Sequence, residues 1–436
     1  MFLGLLYRCG FFPRSFCLCW LSLWLLCLVP DRSMATVGVS FQMLLGNPSG
    51  ATADSNNHDH YLIQRDIQAL DYSDQLRQVN WASWHYTSGD SGSSGRSDAF
   101  AADTNLPPNF YWVQATDYSG SGYDRGHMCP SADRTDTVAH NVDTFRMSNM
   151  IPQAPDNNQG LWANLETYSR AIAASNEVLV ICGPEGFGTA RTASTGAIPI
   201  ASNVWKIIVA VPLGSGSTLS RITNSTRVIA VNIPNIQGIR NDPWQNYRTS
   251  VNQLQTNTGF TFFTALNSNL ATVLRAKIDG APACGLTNFV PLSGASGTSV
   301  ILRGTNFTGV TAVWFNGTPA TFTVNSPNQI TATVPPAATT GPISVVAAGG
   351  LATRSTFTVT TTQLTVVPTR LEIALLGGNV LLSWPTNAAG YVLQQATNAI
   401  APEWITPSSP VTVTGTNYTV TVPIIAPRQL FRLNHP

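Results

Sequence analysis

Charge is scarce in this chain. Of its 436 residues only 10% are Asp, Glu, Lys or Arg, against roughly 25% in ordinary soluble domains. The 23 Lys+Arg and 22 Asp+Glu nearly cancel, leaving a formal net charge of +1. That balance excludes a global basic field as the basis of nucleic-acid binding, so any grip on phosphate must be local. Cysteine is sparse as well. Cys9, Cys17, Cys19 and Cys27 crowd into the start of the chain, and Cys129, Cys182 and Cys284 remain beyond it. Three thiols make at most one internal disulfide, and whether Cys129 pairs with Cys182 is left open. No C-x-x-C pair exists among them, which excludes a zinc knuckle and a dithiol redox site. The one long apolar run, Ser15 to Pro30, is shorter than the ~20 residues a membrane-spanning helix needs. Arg8 and Arg14 precede it, and Asp31 and Arg32 follow. This is the pattern of an export signal, residues 1–34, cleaved between Ser33 and Thr36. A secreted or periplasmic product with no stable membrane insertion is expected.

The length argues for two to four domains, at one per ~100–200 residues. From Val37 to Ala283 the sequence is mixed. Short β-rich runs such as Glu177–Gly183, Asn203–Pro212 and Thr226–Pro234 alternate with helical patterns, and aromatic and charged residues concentrate there. Beyond Cys284 the composition shifts to Thr, Val, Gly and Pro with period-two alternation, which reads as small all-β modules. The expected fold is therefore α+β over residues 37–283, followed by two small all-β sandwiches at 288–361 and 371–436.

One stretch carries chemistry. In Asn157–Ser175, apolar Leu161, Leu165, Tyr168 and Ile172 recur at helical spacing, the mark of a helix with one buried face. On the same helix Asn158, Trp162, Glu166 and Arg170 follow every four residues. At about 100° per residue such a row drifts only about 40° per step, so the four line one stripe beside the buried face. An amide, a carboxylate and a guanidinium in a row can hold a metal, its water and an anionic substrate. Taken singly, Asn158 could be a helix cap, Glu166 and Arg170 a surface ion pair, and Trp162 core. Their joint occurrence some thirty residues after Asp124-Arg125-Gly126-His127 is what points to a site.

That constellation, DRGH at Asp124–His127 followed by MSNMIPQAPDNNQGLWANLE at Met147–Glu166, resembles the DNA/RNA non-specific endonuclease family over roughly Gly46 to Leu266. The resemblance implies a ββα-metal site on a central antiparallel sheet, in which a strand-borne His faces a helix-borne Asn. It makes His127 the general base, Asn158 the metal ligand, Glu166 the carboxylate that holds metal-bound water, and Arg170 the helix arginine. The family's upstream arginine matches Arg96 in RSDAFAAD, and Arg125 is a further candidate for phosphate. DNA and RNA are the implied substrates, magnesium the implied cofactor with manganese the alternative, and 5′-phosphates the implied products. Further on, GTSVILRGTNF at Gly297–Phe307, VWFNG at Val313–Gly317 and the VPP turn at Val334–Pro336 resemble the IPT/TIG family of immunoglobulin-like domains. The last segment fits a fibronectin-like sandwich. A spacer or adhesion role is expected for both modules, towards a surface or protein that the sequence does not name.

Chemically, neutral His127 would take a proton from the water that attacks phosphorus, and a base titrating near neutrality suits that task. Arg96 and Arg170 would stabilise the charge that develops. For the remaining groups a structural reading is expected. His58 and His60 around Asp59 are taken as solvated, His85 as part of a strand, and His140 as packing or capping locally. Asp133 and Arg134 are taken as a pair, and Asp124 as no more than a partner of Arg125. Two rival functions share the sequence: an inactive adhesion or scaffold protein, and a nuclease toxin delivered to competitors.

Overall fold

The computed structural model describes residues 41–192, 197–360, 370–388 and 390–434. The expected export signal lies outside these. The chain divides into two compact units, Met1–Leu292 with Gly297–Thr358, and Ser293–Ser296 with Val359–Pro436.

The first unit is built on a seven-stranded sheet. Its strands are β1 (Tyr61–Gln64), β2 (Ala69–Ser73), β3 (Gln78–Tyr86), β6 (Asn176–Arg191), β7 (Pro199–Pro212), β8 (Arg227–Pro234) and β9 (Arg248–Thr249), in that spatial order. Every pairing is antiparallel. Between β3 and β6 the chain leaves the sheet to form a hairpin, β4 (Asp124–His127) and β5 (Met150–Gln153), with helix α1 (Val138–Thr144) in its connection. Helix α2 (Ala163–Ile172) follows the hairpin, and α3 (Val251–Thr258) and α4 (Ser268–Ala276) follow the sheet.

The centre of β6 and β7 is buried on both sides. This is why Val178–Cys182 and Val204–Val211 read as nearly continuous apolar runs rather than as alternation. One face carries Val180, Cys182, Val204, Ile208 and Val231 against Leu161, Trp162 and Leu165 of the α2 region. The other carries Ile181, Trp205, Ile207 and Val209 against Val251, Leu254 and Leu274 of α3 and α4. At about 1.5–3 kcal/mol for each large aliphatic side chain taken out of water, these two layers supply the main stabilisation.

The helix expected at 157–175 is not one regular α-helix. Residues Asn157–Trp162 form a π-helical turn, broken at Gly160 (φ −104, ψ −113), and α2 proper begins at Ala163. The stripe from Asn158 to Arg170 is therefore interrupted, and Trp162 belongs to the core rather than to a half-exposed row.

After α4 the first unit continues into an all-β sandwich. One sheet holds strands 285–290, 299–305, 329–333 and 322–326, and the other holds strands 350–359, 341–347, 312–315 and 318–319. Trp314 and Val346 of this sandwich pack on Val273 and Ala276 of α4, and the Ile278 amide donates to the Ala348 carbonyl at 3.0 Å. The second unit is also all β: a four-stranded sheet (372–376, 379–385, 417–423, 412–414) and a pair (392–396 with 430–434) close over Val380, Leu382, Trp384, Leu393 and Val420. Among the described residues no helix is long and apolar enough to cross a membrane.

Candidate active site

The hairpin sets the first half of the site. Arg125 and His127 are two residues apart on β4 and project to the same side, where they meet Phe100 and Phe145. The Arg125 guanidinium lies 3.9 Å from the Phe100 ring centroid. The His127 ring meets Phe145 edge-on at 4.7 Å and Phe100 at 5.7 Å. Arg96 comes from the preceding loop and sits 4.9 Å over the same Phe145 ring. Its Nε donates to Asp98 at 2.7 Å and its Nη1 to the Ser131 hydroxyl at 3.1 Å. The imidazole is thus enclosed by two aromatic edges and attended by two guanidinium groups.

Its Nε2 is buried and has no hydrogen-bond partner. Burial, then the Arg96 charge, lowers the His127 pKa from its usual 6.5 to about 3, with Asp98 opposing and Arg125 adding to the shift. The expectation of a base titrating near neutrality is therefore corrected: in the free protein this imidazole stays unprotonated well below neutral pH, because its charged form would be both desolvated and repelled.

Asn158 sits in the π-helical turn. Its Nδ2 donates to Asp124 Oδ2 at 2.9 Å, and Gln159 Nε2 donates to the same oxygen at 2.8 Å. Asp124 is therefore the anchor of the Asn158 turn rather than a partner of Arg125. With its amide nitrogen committed, Asn158 keeps its carbonyl oxygen without a hydrogen bond among the described residues. The turn can take this shape because residue 160 has no side chain: a Cβ there would meet Arg240 O at 2.5 Å and Arg240 Cα at 2.7 Å. Arg240 in turn pairs with Asp156 at 2.9 Å and donates to Gln159 Oε1 at 3.2 Å.

Glu166 and Arg170 do not pair with each other. Glu166 Oε1 lies 3.5 Å from Lys206 Nζ. Burial raises its pKa, Lys206 opposes that most strongly, and Asp133 and Arg170 act in opposite senses. Arg170 donates to Asp133 Oδ1 at 3.0 Å and to Thr167. The Asp133 carboxylate also accepts from Trp84 Nε1 at 3.0 Å, so the pairing expected between Asp133 and Arg134 is corrected. Arg134 instead donates to the carbonyls of Ile67, His85 and Asp133, with Asp90 at 3.6 Å. The turn Ser131–Asp133 connects the two halves, taking Arg96 on Ser131 and Arg170 on Asp133.

The structure thus gathers Arg96, Arg125 and His127 around one aromatic pair, and joins Asn158 to the same strand through Asp124. No hydrogen bond links His127 to Asn158 among the described residues. Their connection runs through β4, which carries His127 itself and, three residues earlier, the Asp124 that holds Asn158. Lys206, Phe100 and Phe145 were missed, and Asp133 was given the wrong partner. Lys206 alone had a local signal, a lysine inside an apolar strand run.

Elsewhere, His58 and His60 are not simply solvated: they pair with Asp74 at 2.9 Å and Asp71 at 2.8 Å. His85 lies in β3, 3.0 Å from Glu177, and His140 pairs with Asp136 in a turn capped by Thr137. Cys129 and Cys182 are buried free thiols and Cys284 is also free. Burial pushes Cys182 up to about 12 and raises Cys129 further.

Residues 47–269 match the DNA/RNA non-specific endonuclease family, and residues 286–366 match the IPT/TIG domain. The chain belongs to the DNA/RNA non-specific endonuclease family. A nuclease of Nostoc sp. is 41% identical over 58% of this chain and 90% of its own. Nuclease C1 of Cunninghamella echinulata is 30% identical over 47% of this chain and 83% of its own. The mitochondrial nuclease EXOG of Danio rerio is 29% identical over 47% of this chain and 62% of its own. This endonuclease therefore carries its DRGH hairpin, π-helical turn and α2 within the matched region.

Proposed function

We propose that this endonuclease is exported and hydrolyses phosphodiester bonds of both DNA and RNA, with His127 as general base and Asn158 as the protein ligand of a divalent cation. The observation that carries the reading is the His127 imidazole, enclosed by Phe100 and Phe145, with Arg96 over the same Phe145 ring and Arg125 over Phe100.

The His127 imidazole takes the proton of the attacking water as it approaches phosphorus in line with the leaving sugar oxygen; such a base contributes about 10²–10⁴-fold. Arg96 and Arg125 stand beside it and offset the charge gathering on the phosphoryl oxygens. A preorganised donor of this kind is worth about 10²–10³ in rate. Arg170, steadied by Asp133, adds positive charge on the α2 side.

The donor set fits a hard cation. Asn158 offers one neutral oxygen with its amide nitrogen already committed, and magnesium keeps several waters and needs few protein ligands. No group of three or more His, Cys, Asp or Glu side chains able to hold a metal occurs among the described residues, so a ligand-rich zinc-type site is not what the fold presents there. Asn158 would hold the ion, and Glu166 the water around it. The bound ion supplies Lewis-acid stabilisation of phosphate charge and of the leaving oxygen.

The side chains named are guanidinium, imidazole, amide and carboxylate groups that address phosphate and ion. Contacts of that kind position the backbone without specifying sequence, in keeping with broad cleavage and a salt-sensitive affinity. The β modules are proposed as spacers or adhesion elements.

The test is degradation of plasmid and total RNA by residues 37–436, with magnesium, with chelator, and in the His127→Ala and Asn158→Ala proteins. Loss in all three controls is expected. A His127→Ala enzyme at near-normal rate would refute the assignment. Export is checked by the N-terminal sequence of protein recovered outside the cytoplasm, expected to begin between Ser33 and Thr36.

A further inference from the structure

Lys206 occupies the middle of β7, in register with Cys182 on β6 and Val231 on β8. Its neighbours on the α2-facing side of that strand are Val204 and Ile208, both core residues. It is only 1% exposed. Its ammonium lies 3.5 Å from Glu166 Oε1, 4.1 Å from the Trp162 ring centroid and 5.6 Å from that of Trp84. Among the described residues, one carboxylate and two ring faces compensate its removal from water.

By energetics alone that is a poor choice. Buried ion pairs replaced by well-packed apolar side chains of similar volume commonly leave stability unchanged or raise it. A methionine at 206 would fill the same slot between Val204 and Ile208 with no charge to desolvate. What Lys206 does have, among the described residues, is one ion-pair partner, Glu166, whose side chain is 14% exposed. Arg170 cannot stand in for it, being committed to Asp133 and Thr167. Asp133, the other charge facing Glu166, is of the same sign.

We propose that Lys206 is a positioning residue for phosphodiester hydrolysis: it holds the Glu166 carboxylate in place and turned towards the reaction, and acts on rate only through Glu166. This rests on the role given to Glu166 above. The indole of Trp162, packed on the ammonium, fixes where the charge sits, and the same α2 segment carries the carboxylate, so lysine, indole and carboxylate form one unit.

The experiment is a double-mutant cycle on residues 37–436: wild type, Lys206→Met, Glu166→Gln, and the pair. For each, plasmid cleavage rate at saturating magnesium, magnesium half-saturation and melting temperature are measured. Lys206→Met is expected to melt at or above the wild-type temperature and to cleave roughly 10–100-fold more slowly, the usual size for loss of a supporting partner of a metal-site group. The pair is expected to be no slower than Glu166→Gln alone. A Lys206→Met enzyme within twofold of wild type overturns the proposal, as does a pair whose loss is the product of the two single losses. If Glu166→Gln itself cleaves at the wild-type rate, the role of Glu166 falls first and the proposal with it; a slow Glu166→Gln beside a normal Lys206→Met condemns the proposal alone. Should Lys206→Met fail to fold, Lys206→Leu, which likewise offers Glu166 no donor, takes its place with the same rate criteria.

Discussion

Asp124 offers the sharpest test of how the amide proposed to bind the ion is held. Its Oδ2 accepts from Asn158 at 2.9 Å and from Gln159 at 2.8 Å, and the first of these fixes which end of the Asn158 amide faces away. In Asp124→Ala both charge-assisted hydrogen bonds vanish, and the amide is free to rotate and present nitrogen instead of oxygen. Loss of a partner that orients a metal ligand typically lowers metal affinity by about 10–100-fold, or about 1.4–2.7 kcal/mol at 1.36 kcal/mol per tenfold. Because the ligand atom survives, the defect is one of occupancy. Cleavage measured against magnesium concentration should show half-saturation raised by that factor, with most of the maximal rate recovered at high magnesium. Asn158→Ala should not recover. A normal half-saturation with a depressed maximum in Asp124→Ala would refute the reasoning, since Asp124 would then act on the chemistry and not through Asn158.

Arg96→Ala should lower the rate and also move its acid limb upward. The Arg96 charge helps to depress His127, so removing it raises that pKa towards the usual value, and a limb that stays put in a pH–rate comparison would count against the pairing. In wild type the loss from protonating His127 should set in well below pH 6.5, because a lowered pKa delays protonation to more acid solution. Gly160→Ala should destabilise by about 1–3 kcal/mol through contact with the Arg240 backbone, read from urea denaturation. Its cleavage should fall further than its stability, since Asn158 rides on that turn. His85, Thr218 and Arg221 hold the Glu177 pKa down to about 2 against partial burial. The stability this lends is complete above the usual carboxylate pKa of about 4.3 and is lost as pH falls towards 2. The gap in melting temperature between wild type and Glu177→Gln should therefore close between pH 5 and pH 2, and a constant gap would refute the assignment.

Much of this was readable from residues close together in sequence. Val178–Cys182 and Val204–Val211 announced buried strands, and Leu165, Tyr168 and Ile172 announced α2, because each pattern reports a local periodicity. The break at Gly160 was not readable, since its cause is backbone from Arg240, eighty residues further on. Long-range partners were equally hidden. Arg170 looked like a neighbour of Glu166, yet its carboxylate is Asp133, delivered by the turn after the DRGH strand. His127 was legible as a candidate base, but its low pKa depends on Phe100, Phe145 and Arg96 folding over it, which no spacing within the motif reveals.

Trp314 and Val346 lie on Val273 and Ala276, so helix α4 is finished by side chains made long after it. A chain stopped just past the helix would show water a patch that is dry in the whole protein. Shortened versions ending before the TIG strands should stick to one another or to chaperones, and growing chains on the ribosome pass through that same unfinished state.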